Sequence, residues 1–268
     1  MAHPVEDGGA VGESAMAAAA EEPDLGRRFG GISRLYGDEA LERFARARVC
    51  VVGLGGVGSW AAEALARSGI GAFTLIDLDH VAESNTNRQI HALEGEYGKP
   101  KVGAMAARLR AIRPGCRISE IEEFVAPDNA AALIGADHAF VIDAVDSVRA
   151  KVALVLHCRA ACIPLVCSGG AGGRTDPTRI RVRDLACTEQ EPLLAKVRRR
   201  LRREHGFPRG AKSRFGIEAV FSDEPMRAAE GCDTAAGLAC AGLGSSVCVT
   251  AAFGLAAASR VLARLASA

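Results

Sequence analysis

The sequence predicts an α/β chain: a doubly wound, mostly parallel sheet with helices on both faces and an antiparallel extension at a C-terminal edge. Two observations carry the expectation. Apolar runs of strand length alternate with helix-length segments from residue 49 onward, and glycine-rich turns follow two of those runs. Parallel neighbours need a crossover, usually a helix, so this alternation is what such a sheet requires. The composition is that of a globular domain: 268 residues, 49% hydrophobic, 24% charged and 4% aromatic, with 30 glycines.

The first 24 residues hold six acids and no Lys or Arg. They lack the basic start and apolar stretch of a signal peptide. Residues 1–26 are therefore expected as a disordered tail, and residues 27–268 as a single domain in which 174–232 form a basic extension. An amphipathic stretch at 38–47 leads into a buried strand at 49–52. A helix over 57–68 and a strand over 72–77, ending in a carboxylate, complete the first βαβ unit. A helix is expected over 102–112, then strands at 117–121 and 139–142, the latter ending at Asp143-Ala-Val-Asp146. Helix 148–161 and strand 164–167 follow, and that strand runs into Ser168-Gly-Gly-Ala-Gly-Gly173.

Beyond this point Arg179-Ile-Arg-Val-Arg183 alternates as an edge strand would. A strongly basic helix is expected next. Residues 196–214 hold nine Lys or Arg against Glu204 alone, about +8, so the net charge of +1 hides a remainder of about −7. Such a run is either a solvated helix face or a surface for phosphate backbones. Residues 234–259 carry no charge, which is long enough for a membrane span. Ala and Gly dominate the run, and Ser245, Ser246, Thr250 and Ser259 interrupt it, so a small-residue helix buried against the sheet is expected. No stable membrane insertion follows, and the cytoplasm is the expected compartment.

Gly53-Leu-Gly-Gly-Val-Gly58 lies between the first strand and its helix, with Asp77 24 residues after Gly53. Gly53 permits a tight turn, Gly55 and Gly56 let the backbone approach phosphate oxygens, and Gly58 lets the helix sit close to the strand. The helix N-terminus attracts anions, and Asp77 would accept from ribose hydroxyls. This Rossmann-like motif alone separates neither NAD from ATP nor a ligand loop from a packing turn. The polar stretch after Asp77 does more. It places Asn85, Asn87 and Gln89 around Arg88, with Lys101 following. Cations fixed there suit triphosphate chemistry, in which charge grows on the α-phosphate and the leaving pyrophosphate, rather than hydride transfer. Asp146, at a later strand end, would hold a phosphate-bound Mg²⁺.

Together with Leu75-Ile-Asp-Leu-Asp79, Ser84-Asn-Thr-Asn-Arg-Gln89, Lys99-Pro-Lys101 and Asp143-Ala-Val-Asp146, the glycine loop resembles the ubiquitin-activating-enzyme superfamily of adenylating proteins. The resemblance implies a nucleotide site of Gly56, Asp77, Ser84, Asn85, Thr86, Asn87, Arg88, Lys101, Asp146 and Ser147. Within it, Arg88 and Lys101 would act on phosphates and Asp146 on Mg²⁺. It implies a homodimer, in which Arg34 reaches the nucleotide of the neighbouring subunit, and attack of a carboxylate on the α-phosphate of ATP, giving an acyl adenylate and pyrophosphate. An alkali-metal ion, K⁺ or Na⁺, also belongs to the resemblance; the sequence identifies no ligands for it.

Sulfur-carrier activators of the superfamily typically bind a structural zinc through two Cys-x-x-Cys pairs. The nine cysteines here form no such pair, so no structural zinc is expected. By contrast, Arg28-Phe-Gly-Gly-Ile-Ser-Arg-Leu-Tyr-Gly37, the helix from Gly58 to Arg67, Asn87-Arg-Gln-Ile-His-Ala-Leu93 and the glycine run at 168–173 are similar to the tRNA-modifying dehydratase branch. That branch implies a tRNA bearing threonylcarbamoyladenosine as partner and ring closure with net loss of water. The basic stretch would then hold tRNA phosphates. An activator of a ubiquitin-like sulfur carrier is the alternative; a nicotinamide-dependent oxidoreductase and a non-catalytic nucleotide-binding module are further classes. Cys50, Cys158, Cys162, Cys167 and Cys248 read as core fillers. Cys187, Cys232 and Cys240 stand in or near loops, where a thioester, or a persulfide from a sulfur-relay partner, is the sharper reading. His91 is either a structural residue or one that orients the Arg88 loop.

Overall fold

The apolar run Arg48–Val52 becomes the central strand β1, whose last four residues are buried. In the computed structural model, which describes residues 23–210, 212–227 and 243–268, β1 pairs in parallel with β2 (Ala72–Ile76) on one side and β4 (Phe140–Asp143) on the other. Strand β3 (Arg117–Ile121) flanks β2, and β5 (Leu165–Ser168) flanks β4. The seven-stranded sheet has the order β3-β2-β1-β4-β5-β7-β6, parallel except for the edge pair of β6 (Ile180–Asp184) and β7 (Glu218–Ser222).

Alternation along each strand builds two cores. Val49 and Val51 of β1 face a layer formed by α2 (Asp38–Arg46), α3 (Gly58–Arg67), α4 (Lys101–Ile112) and α8 (Val247–Ala266). Cys50 and Val52 face the opposite layer, where α6 (Val148–Ala160) packs with α7 (Pro192–Glu204). Helix α7 is amphipathic: Leu193, Leu194, Val197 and Leu201 are buried while its arginines lie outside. Chain order reverses between β1 and β4, and ligands of open α/β sheets collect at such a switch, outside the carboxyl ends of the strands.

Several elements differ from the sequence reading. Strand β7 was not expected; it inserts between β5 and the edge strand, so residues 174–227 contribute two strands to the same sheet. Helix α1 (Leu25–Tyr36), capped by the Asp24 side chain, starts before residue 27, and α5 (Ala130–Leu133) is a single short turn. The basic helix does not run to 214. It ends at Glu204, and the chain turns through Gly206 with φ +66°. Helix α8 begins only at Val247, where Ser246 caps it, and it continues past Arg260 and Arg264. By length and composition it could cross a membrane; here Phe253, Ala257, Val261 and Leu265 bury one side against the sheet layer. Cys162 and Cys248 are exposed rather than core, because Cys162 follows the end of α6 with φ +55° and Cys248 lies on the outer side of the first turn of α8. Cys50, Cys116, Cys158 and Cys167 are buried. Most of the expected tail, Cys232, Cys240 and the first part of the uncharged run lie outside the described residues.

Candidate active site

The turn after β1 is locked by backbone geometry. Gly53 has φ +87°, and a side chain there would come within 2.9 Å of the Ala144 carbonyl. A Cβ on Gly58 would lie 1.8 Å from the Gly53 carbonyl, so only glycine lets α3 start so close to the strand. Asp77, just past β2, braces this loop: one carboxylate oxygen accepts from the Leu54 amide at 2.6 Å and the other from the Asp79 amide at 2.9 Å. Among the described residues, nothing lies within 4 Å of where a Cβ on Gly55 would stand. The residues that lead into α3 and α6 line one open volume at the carboxyl edge of the sheet.

That volume is a cavity of about 830 Å³. It brings together Gly53, Gly55, Gly56 and Asp77 from the first βαβ unit with Asn85, Arg88 and Lys101 from the polar loop and start of α4. Asp146 and Ser147 close it from the far side of the switch point. The remaining expected residues lie elsewhere. Gly58 is beneath the loop, whereas Ser84, Thr86 and Asn87 act from behind the cavity wall. The Ser84 carbonyl and the Asn87 side-chain oxygen accept from the Arg88 guanidinium at 2.8 and 2.9 Å, and Thr86 bonds the Tyr97 hydroxyl at 2.9 Å. Trp60 donates to the Arg88 carbonyl at 3.0 Å, fixing its backbone too. Lys101, buried at the first position of α4, bonds Asp79 at 2.9 Å. Arg34 is exposed in the last turn of α1, outside the cavity of its own chain.

Asp146 is exposed to the cavity and accepts no hydrogen bond among the described residues. Ser147 uses its hydroxyl to cap α6. A Mg²⁺ usually takes one or two carboxylates plus substrate phosphates, keeping several waters, so a single uncommitted carboxylate beside a phosphate loop fits it. Among the described residues no group of three or more His, Cys, Asp or Glu is gathered as a protein-only metal site.

Sequence reasoning missed the support beneath Asp146. Lys151 and Asp143, both 0% exposed, form an ion pair at 2.9 Å, and Asp143 also accepts from the Val145 amide at 3.2 Å. Burial pushes the Asp143 carboxyl up, and the Lys151 ammonium opposes that shift. The pair fixes the turn carrying Asp146; nothing in the sequence singles it out, because Asp146 and Arg149 stand between its two members. His91 is 2% exposed with neither ring nitrogen hydrogen-bonded, so it does not hold the Arg88 loop. Burial, then the nearby Lys101 and Arg108, lower its pKa to about 4. Cys187 is half-buried before α7 and does not line the cavity. On α7, Arg198, Arg199, Arg202 and Arg203 surround a separate pocket of about 340 Å³ together with Arg209.

A glycine loop, a braced carboxylate and clamped cations at the switch point of a doubly wound sheet define a nucleotide-binding α/β protein. Residues 30–267 match the model of the ThiF family. The chain is 50% identical over 250 residues to the tRNA threonylcarbamoyladenosine dehydratase of Escherichia coli, covering 89% of this chain and 93% of that one. A solved structure of the E. coli tRNA N6-threonylcarbamoyladenosine dehydratase in complex with ATP superposes with a TM-score of 0.84 at 50% identity, over 91% of this chain and 96% of that one. The E. coli molybdopterin-synthase adenylyltransferase is 40% identical over 135 residues, covering 50% of this chain and 52% of its own. The chain belongs to the ThiF family.

Proposed function

We propose that the chain is an ATP-dependent tRNA-modifying enzyme that adenylates the threonyl carboxylate of threonylcarbamoyladenosine in tRNA and closes it to the cyclic form, releasing AMP and pyrophosphate. The observation that carries the reading is the convergence of the glycine loop, Arg88, Lys101 and the uncommitted Asp146 on one cavity. The similarity to a dehydratase over most of both chains supports it. A carboxylate is a poor electrophile until one oxygen has become part of a phosphate. Amides of residues 53–58 and the α3 N-terminus would receive phosphate oxygens, and Asp77 would meet the ribose. Arg88 and Lys101 would stabilise charge growing on the α-phosphate and the leaving pyrophosphate. Asp146 would hold Mg²⁺, which, when bound, neutralises phosphate charge. Ring closure needs no enzyme nucleophile, because the attacking group already belongs to the activated molecule.

The arginines of α7 and the loop after it would contact tRNA phosphates. Arg34 would reach the nucleotide of a second copy in a homodimer, and the enzyme would work in the cytoplasm. The sulfur-carrier reading has weaker support, since the adenylyltransferase similarity spans half of this chain and the sequence has no Cys-x-x-Cys pair. The test is to incubate the protein with ATP, Mg²⁺ and tRNA bearing threonylcarbamoyladenosine and to follow the nucleoside by mass spectrometry. Loss of one water with stoichiometric AMP is expected. Pyrophosphate release that needs a carrier protein ending in Gly-Gly, with the nucleoside unchanged, would replace the reading.

A further inference from the structure

The glycine run at 168–173 starts at the end of β5 and forms a wall of the cavity at residues 169–172. Behind that wall sits Glu191, 4% exposed, at the N-cap of α7. One of its oxygens accepts from the Gly170 amide at 2.9 Å, and the other accepts from the Leu194 amide in the first turn of α7. The approach is so close that a Cβ on Gly169 would lie 2.7 Å from the Glu191 side chain.

The joint is reinforced from the other side. Arg174, 2% exposed, donates to the carbonyls of Gly170 and of Gln190, the latter at 2.9 Å. Gln190 has φ +50°, one of two non-glycine residues with positive φ among those described. Such a conformation persists only where its surroundings impose it. Helix α7 leads from this joint to the arginine pocket. Leu193 lines the cavity, while Arg198 and Arg202 line the pocket, about 8 and 14 Å further along the helix axis at 1.5 Å per residue. Arg198 is half-buried and donates to the Thr188 hydroxyl, three residues before Glu191.

We propose that Glu191 is a positioning residue that ties RNA phosphates engaged on α7 to the cavity wall at residues 169–172, so that the carboxylate carried by the same RNA is adenylated at full rate only when those phosphates are held on α7. This rests on the reading of the chain as a tRNA-modifying enzyme. Both oxygens of Glu191 are committed, one to the helix and one to the wall, so a shift of the first turn of α7 reaches Gly170 through a single side chain.

Two variants of the full-length protein separate coupling from folding. Glu191→Asp keeps a good helix cap but is one methylene too short to span cap and wall together. Glu191→Gln keeps the length but offers one acceptor oxygen where two amides must be met. In both, the Kd for tRNA bearing threonylcarbamoyladenosine and its salt dependence are expected within twofold of wild type. The kcat for tRNA-stimulated pyrophosphate release is expected to fall at least tenfold, with KM for ATP within twofold. Release within twofold of wild type in both variants overturns the coupling alone. A parallel loss of ATP affinity and thermal midpoint in Glu191→Asp also overturns it, since Glu191 would then only hold the fold. A wild-type protein that releases no pyrophosphate with this tRNA overturns the underlying reading, and the proposal with it.

Discussion

Arg88 and Lys101 are mounted charges, whereas the arginines of α7 are loose ones. In the cavity, the Arg88 guanidinium is clamped by the Ser84 carbonyl and Asn87, its backbone is held by Trp60, and Lys101 is buried against Asp79. On α7 and its following loop, Arg198, Arg199, Arg202 and Arg209 have no acidic partner among the described residues: Arg198 meets the Thr188 hydroxyl, Arg202 the Pro208 carbonyl and the Phe215 ring, and Arg209 the Arg202 carbonyl, while the exposed Glu204 engages Arg200 and Arg203. The difference matches two tasks. A preorganised cation need not reorient as charge develops in a transition state. An unpaired cation on an exposed helix exchanges salt counterions for the phosphates of a polyanion, which gives affinity with little geometric demand. Mutation should therefore affect chiefly rate in one region and chiefly binding in the other.

The platform under the mounted charges gives the largest expected effect. Lys151→Met leaves Asp143 buried without its counter-charge, and breaking such a pair costs about 3–5 kcal/mol; a steep fall in the urea midpoint would show it, and an unchanged midpoint would make the pair dispensable. Next, Arg88→Ala or Asp146→Ala should lower kcat by about 10²–10³-fold while the thermal midpoint stays near wild type. Undiminished ring formation in either would refute the assignment of the mounted site. His91 gives the next effect. Its folded pKa, about 4, lies below the ordinary histidine value of 6.5, so the unfolded chain takes up a proton that the folded one refuses. Stability should fall as pH drops from 6.5 toward 4, by about 3 kcal/mol at most, and His91→Phe should flatten that part of the profile; a slope identical to wild type would exclude His91 as its source. The smallest effect per residue belongs to the loose charges. Replacing Arg198, Arg199, Arg202 and Arg203 by Gln should raise the tRNA KM, lower kcat to a lesser degree through the tie at Glu191, and reduce the slope of log K against log salt by roughly 0.7–0.9 per lost phosphate contact. An unchanged KM would return the helix to a solvated face.

The strands that sequence made legible are those whose burial shows as an unbroken apolar run, such as 49–52 and 72–76. β7 escaped because Glu218-Ala-Val-Phe-Ser222 is short, begins with a charge and follows a loop of Arg, Gly and Ser, so neither period nor length marks it. The glycine loop was readable because Gly53 and Gly58 each answer a local steric demand. The brace from Asp77 to the Leu54 amide was not, since a carboxylate at a strand tip serves a ribose or a backbone equally well until the turn is seen. The same holds for Ser84 and Asn87, whose contacts run to Arg88, and for Glu191, where an acid beside Pro192 reads as a helix start and nothing more.

Helix α8 comes last in the chain, yet it forms part of the cover over the first loop. Thr250 packs against Gly56, and Gly254 lies so close to the start of α3 that a Cβ would sit 2.4 Å from the Val57 carbonyl. During synthesis, the glycine turn is complete by residue 58 but lacks this cover until nearly 200 further residues have been added. A nascent chain therefore carries an unfinished glycine loop until α8 has left the ribosome, and truncation within that helix should remove the nucleotide binding proposed for the loop through residues that lie far from it in sequence.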